Sequence, residues 1–169
     1  MPDGDGSGYE DFFSSEYGLV VAFLCKTGFD YQVADDSTQE AMLSAYRTWS
    51  KITNPRGWIR TVAHRVAVRK AALLRDELSL LVERGYLPAD DDGTQWYRHV
   101  ELHDELLRAL ALLPERQRLV MAWHLDDFSD EEISRATGMK VSTVRSNLRH
   151  AREKLRKDLA GPHGEKTPR

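Results

Sequence analysis

The stretch from Phe128 to Leu155 leaves the backbone little choice of conformation. Ser129 precedes Asp130-Glu131-Glu132-Ile133, the pattern of a capping box. In that arrangement the Ser129 hydroxyl accepts from the amide of Glu132, and the Glu132 carboxylate returns the bond to the cap amide. Phe128 before the cap and Ile133 at the fourth helical position have the spacing of a hydrophobic staple. Gly138 follows Thr137, where a helix can end on a left-handed residue. Val141, Val144, Leu148, Ala151 and Leu155 then recur at intervals of three and four, the apolar stripe of a second helix. That stripe leaves Thr143, Arg145, Ser146, Arg149 and Arg152 facing outward. A capped short helix, a glycine turn and a second helix with an Arg/Ser/Thr face make a helix-turn-helix. Such a helix fits the major groove of duplex DNA, where arginine donates to guanine and hydroxyls reach bases or phosphates. A plain basic helical hairpin would satisfy the stripe but would not call for cap, staple, turn and arginine face together.

The rest of the chain shares the helical period. Phe12 to Thr27 reads as a helix burying Val20, Phe23 and Leu24, and Ala41 to Trp49 and Gly57 to Leu74 read as two more. Asn54-Pro55 breaks the chain between the latter two, because proline pushes the preceding residue out of the helical region. Gly85 to Gly93 is a turn-rich acidic segment. Beyond it, Val100, Leu102, Leu106, Leu107, Leu110 and Leu113 return to helical spacing, and Pro114 suits the first turn of a helix carrying Leu119, Val120 and Trp123. Strand alternation is nearly absent. The expected fold is therefore all-α, with two small helical domains joined by a flexible linker. The expected boundaries are a disordered start over 1–9, a first domain over 10–77, an acidic linker over 78–99, a second domain over 100–158 and a disordered tail over 159–169.

Charge supports a polyanion partner only when read by position. The formal net charge is −3, which argues against bulk electrostatic binding of nucleic acid. Four consecutive blocks, 1–46, 47–75, 76–115 and 116–169, carry −8, +8, −7 and +4. Two basic segments separated by an acidic one favour contact with a long polyanion at two places. The longest apolar stretch, Leu19 to Cys25, is far too short to span a membrane, so no membrane insertion is expected. Cys25 is the only cysteine, which excludes an intramolecular disulfide and fits a reducing cytoplasm.

These residues resemble a family. Leu113-Pro114-Glu115-Arg116-Gln117-Arg118, Phe128 to Ile133 and Thr143 to Arg152 resemble region 4 of bacterial sigma factors, specifically the small extracytoplasmic-function (ECF) group. Ala34-Asp35-Asp36-Ser37-Thr38-Gln39-Glu40-Ala41 resembles the region 2 motif of paired acids followed by Gln-Glu, and Trp58-Ile59-Arg60-Thr61-Val62-Ala63-His64-Arg65 resembles the stretch after it. The resemblance implies a factor that binds core RNA polymerase and directs promoter-specific initiation, reading the −10 and −35 elements and helping to open the duplex. Asp35, Asp36, Gln39 and Glu40 would dock on the clamp helices of the largest polymerase subunit, by charge-assisted bonds to its arginines. Region 4 would meet the flap of the second-largest subunit, and an anti-sigma factor is a further conceivable partner. Trp49, Asn54, Arg56, Trp58 and Arg60, in or beside the connecting loop, are candidates to stack on or pocket single-stranded −10 DNA. Trp58 could equally be a core residue beneath that loop. Arg65, Arg69 and Lys70 would contact phosphates. Arg118, Ser142, Thr143, Arg145, Ser146, Arg149 and Arg152 would meet the −35 element, with Arg145, Ser146 and Arg149 at base edges. Lys140 and Val141 stand where many members carry Ser and an acid, which leaves recognition-helix capping to a residue such as Ser142.

Other chemistries find no support in the sequence. It has no Gly-Lys-Ser/Thr phosphate loop and no Gly-x-Ser-x-Gly elbow. His99 and His103 have a spacing that a metal could bridge, but no His-Glu-x-x-His motif accompanies them and they read as surface histidines. No catalytic constellation, cofactor or metal is expected. The competing reading is a helix-turn-helix regulator with an N-terminal dimerisation or sensing domain.

Overall fold

The computed structural model describes residues 7–85 and 104–159, and every regular element among them is helical. The elements are α1 (Ser7–Thr27), α2 (Tyr31–Thr48), a short 3-10 turn (Trp49–Lys51), α3 (Pro55–Glu83), α4 (Asp104–Ala111), α5 (Glu115–Leu125), α6 (Asp130–Thr137) and α7 (Val141–Leu159). They fall into two compact units, one built on α1 to α3 and the other on α4 to α7.

In the first unit, Asp30 caps α2 by accepting from the Val33 amide at 2.8 Å. Asn54 caps α3 by accepting from the Gly57 amide at 3.3 Å, with Pro55 in the first turn. The core interleaves Val20, Phe23 and Leu24 of α1, Ala34, Ala41 and Met42 of α2, and Ile59, Ala63 and Ala67 of α3, all essentially solvent-free. Small residues dominate the α2 and α3 contributions, which lets these two helices approach closely.

The first unit exceeds its expected limits at both ends. α1 starts at Ser7, inside the segment expected to be disordered over 1–9. Tyr9 is held in place because its hydroxyl donates to the Met42 carbonyl at 2.8 Å and its ring packs against Tyr46 and Trp49. α3 runs on to Glu83, through residues 78–83 that were expected to begin the linker. Leu78, Leu80, Leu81 and Val82 are about half exposed there, so this extension rests on helix propensity more than on burial. The acidic run Asp90-Asp91-Asp92, the pair His99 and His103, and the expected tail from 160 onward lie outside the described residues.

The second unit follows the expected cap chemistry closely. Ser129 Oγ accepts from the Glu132 amide at 3.2 Å, and the Ser129 amide donates to Glu132 Oε2 at 2.8 Å. Phe128 and Ile133 are both buried. Gly138 ends α6 with φ +74°, a conformation that costs a residue with a Cβ. Val144, Leu148 and Ala151 of α7 close the core against Leu110, Val120, Trp123 and Ile133. Pro114 sits one position earlier than expected, just before α5, where its carbonyl accepts from the Arg118 amide at 2.9 Å.

Candidate nucleic-acid interface

The candidate recognition face on α7 is built by exclusion. Burial of Val144, Leu148 and Ala151 turns Ser142, Arg145, Arg149 and Arg152 to solvent, while Thr143 and Ser146 are partly covered. Arg145 is not a loose side chain. Its Nε donates to Asp130 Oδ2 at 2.9 Å and its Nη2 to Glu131 Oε1 at 3.2 Å, both on α6. Arg152 Nη2 lies 2.9 Å from His124 Nε2 of α5. Arg118 is half-buried on α5 and less accessible than the α7 arginines. The expectation that Ser142 caps α7 fails on register: the helix already begins at Val141, and the Lys140 carbonyl accepts from the Val144 amide at 3.0 Å. Ser142 therefore lies inside the first turn, exposed.

In the first unit, the residues expected at the −10 element divide into four groups. Arg60 is in the core, 1% exposed, with its Nη1 donating to Glu16 Oε2 at 2.8 Å and its guanidinium 5.9 Å from the Phe23 ring centre. A DNA contact by Arg60 is thereby corrected: a guanidinium so enclosed is satisfied by its carboxylate and cannot reach a base. Asn54 and Trp49 are committed to structure in part. The Asn54 carbonyl oxygen caps α3, and Trp49 sits half-buried in an aromatic cluster with Tyr9 and Phe12, at ring separations of 5.4 and 5.0 Å. Trp58 is half-buried. Arg56, Arg65, Arg69 and Lys70 remain reachable, Arg56 anchored at its Nε to Glu16 Oε1 at 3.2 Å and Arg65 exposed.

The acidic face of α2 is also pre-arranged. Asp35 accepts from the Tyr17 hydroxyl at 2.6 Å and from Gln39 Nε2 at 2.9 Å. Burial, with that bond to Asp35, pushes the Tyr17 phenol up to about 12. Glu40 meets Arg69 Nη2 at 2.6 Å and Lys70 Nζ at 3.5 Å, so one residue of the acidic face touches two of the expected phosphate contacts. Asp36 is exposed and lines a groove of about 330 Å³ with Lys70, Leu73 and Leu74. Among the described residues no cluster of His, Cys, Asp or Glu has the makings of a metal site, and no helix is long and apolar enough to cross a membrane.

Glu16 was not singled out from sequence, yet it organises the loop by binding both Arg56 and Arg60. The signal was present: Glu16, Val20, Phe23 and Leu24 lie on one helical stripe, and an acid on a buried stripe demands a cation. Asp130 and Glu131 were legible as cap-region acids, but nothing local tied them to Arg145.

Comparison with known proteins gives these faces a context. Residues 12–76 match the family model for sigma-70 region 2, and residues 103–155 match that for sigma-70 region 4. The ECF RNA polymerase sigma factor SigE of Mycolicibacterium smegmatis is 31% identical over 134 residues, 75% of this chain and 52% of that protein. The ECF RNA polymerase sigma factor RpoE of Cereibacter sphaeroides is 26% identical over 163 residues, 92% of this chain and 88% of its own. The chain belongs to the ECF group of sigma-70 factors. The solved sigma factor RpoE of Bartonella quintana, captured with the anti-sigma factor NepR, shares the fold at a TM-score of 0.68 and 18% identity, over 91% of this sigma factor and 98% of that chain. This sigma factor spans about half the length of the SigE relative and nearly nine-tenths of the RpoE one. The competing regulator reading called for a dimerisation or sensing domain at the N-terminus. Residues 12–76 match sigma region 2 instead, so that reading is not favoured.

Proposed function

We propose that this sigma factor joins core RNA polymerase in the cytoplasm and directs initiation at promoters through two helical faces, without itself performing catalysis. Polymerase and −10 contacts are assigned to residues within 10–77, and −35 contacts to residues within 100–158. Asp35, Asp36, Gln39 and Glu40 present carboxylate and amide groups suited to the arginines of the largest-subunit clamp helices. The second unit would meet the second-largest subunit's flap. Arg56, Arg65, Arg69 and Lys70 supply the cationic track for the opened −10 strand, with Trp49 and Trp58 partly available for stacking. Arg60 supports that track from within the core. Arg145, Ser146 and Arg149 are assigned to base edges of the −35 duplex, with Ser142, Thr143, Arg152 and Arg118 at its backbone. An anti-sigma protein is proposed as a further partner, in keeping with the complex named for the Bartonella relative.

The observation that carries this reading is the α7 geometry, in which a buried Val144/Leu148/Ala151 stripe points Arg145 and Arg149 outward from a capped helix-turn-helix. Run-off transcription with purified core polymerase on a promoter library tests it. Specific transcripts are expected only when the full chain is added, and Arg149→Ala should reduce discrimination in the upstream element. Absence of any specific start would refute the reading.

A further inference from the structure

The ion pair between α6 and the recognition helix has a particular chemical geometry. Nε and Nη2 form one edge of the Arg145 guanidinium, and Asp130 Oδ2 and Glu131 Oε1 occupy that edge at 2.9 and 3.2 Å. The end edge, made by Nη1 and the second proton of Nη2, still presents two parallel N–H donors. That fork matches the N7 and O6 acceptors of guanine in the major groove. The Arg145 side chain is 63% exposed, and no hydrogen bond among the described residues occupies its end edge. Arg149, one turn further along α7, forms no ion pair with any described residue.

Capping does not need these two acids, because Glu132 closes the box with Ser129. Their own energetics as exposed ion pairs are small. What they alter is freedom. A solvated arginine must order several rotors on meeting a base, whereas one already held along its side edge has fewer left to order. The same carboxylates repel nearby phosphates, so they weaken binding overall while sharpening the choice of base.

We infer that Asp130 and Glu131 are positioning residues that hold Arg145 for base reading, making α6 a determinant of upstream-element specificity. The inference rests on the proposed reading of α7 as the recognition helix. Holoenzyme assembled from core polymerase and the full chain tests it, on promoters carrying each base pair at every upstream-element position. Arg145→Ala locates the position that Arg145 reads, by abolishing preference there.

At that position Asp130→Asn with Glu131→Gln is expected to lower the preference about fivefold and spare the others, while nonspecific DNA affinity at low salt rises. Arg145→Lys has no planar second edge to offer a base while its ammonium meets the carboxylates; its preference should be low and fall no further when the two acids are also changed. Unchanged preference in the Asn/Gln protein, with affinity raised equally for all sequences, means the acids only shield, and overturns the inference while leaving the recognition reading intact. If Arg145→Ala alters no position, the recognition role of Arg145 fails, and the positioning role falls with it. Should the double variant lose helix content, each single variant keeps one first-turn acid and is expected to lose part of the preference; full preference in both singles overturns the inference.

Discussion

Arg60 and Glu16 show how an apparent binding residue becomes a structural one. With 1% and 10% of their side chains exposed, the pair is enclosed, and removing either member takes from the other its buried ionic partner. Arg60→Ala is expected to destabilise the first unit by about 2–3 kcal/mol in urea unfolding, since Glu16 Oε2 loses its buried partner and the carboxylate keeps only the exposed Arg56. Arg60→Met combined with Glu16→Leu should recover most of that loss. Cys25 and Tyr17 make a pH prediction. Burial raises the Cys25 thiol from 9.0 to about 11, with Asp30 adding to the effect, and raises Tyr17 from 10.0 to about 12. Both folded values exceed the unfolded ones, so the fold favours the neutral forms. Their stabilisation is complete below pH 9 and is lost as pH rises through 11 and 12. The urea midpoint should therefore fall between pH 9 and 12, and native Cys25 should resist thiol reagents at pH 8 until the protein unfolds. Asp35→Asn removes the acceptor charge and should lower the phenolate transition of Tyr17.

At the scale of the element, cap chemistry has measurable consequences. A Cβ on Gly138 would meet nothing within 4 Å, so Gly138→Ala carries only the backbone penalty of a positive φ, about 1–2 kcal/mol in thermal melts. Ser129→Ala should cost about 1 kcal/mol by opening the box. These features were legible in sequence because they are local: cap, staple and glycine stop act within a few residues of one another. The apolar stripes of α1 and α7 were legible for the same reason of spacing. Three-dimensional pairings were not. Whether an arginine beside a loop faces DNA or a carboxylate depends on which helix crosses it, and Glu16 lies 44 residues from Arg60. Helix ends were misplaced where distant contacts decide them, as at Tyr9, which is fixed by Met42 and Trp49.

Across the whole molecule, charge is organised as much by pairing as by sequence block. Glu40 engages Arg69 and Lys70, and Asp130 and Glu131 engage Arg145, so part of each basic segment is already neutralised. Replacing Asp90, Asp91 and Asp92 with Asn is expected to raise nonspecific DNA affinity at low salt, with the difference vanishing as salt increases. An unchanged affinity would remove shielding by that run from the account. The division of α7 into a buried Val144/Leu148/Ala151 stripe and an exposed Ser142/Arg145/Arg149 face bears on how such a factor diversifies. Residues that touch no core neighbour can be exchanged with little loss of folding free energy. On the proposed reading of α7, duplicated copies of the gene are thus free to drift toward different target sets largely through the exposed face. The loop above Arg60 has no such freedom, because a change there must be answered by a second change in α1.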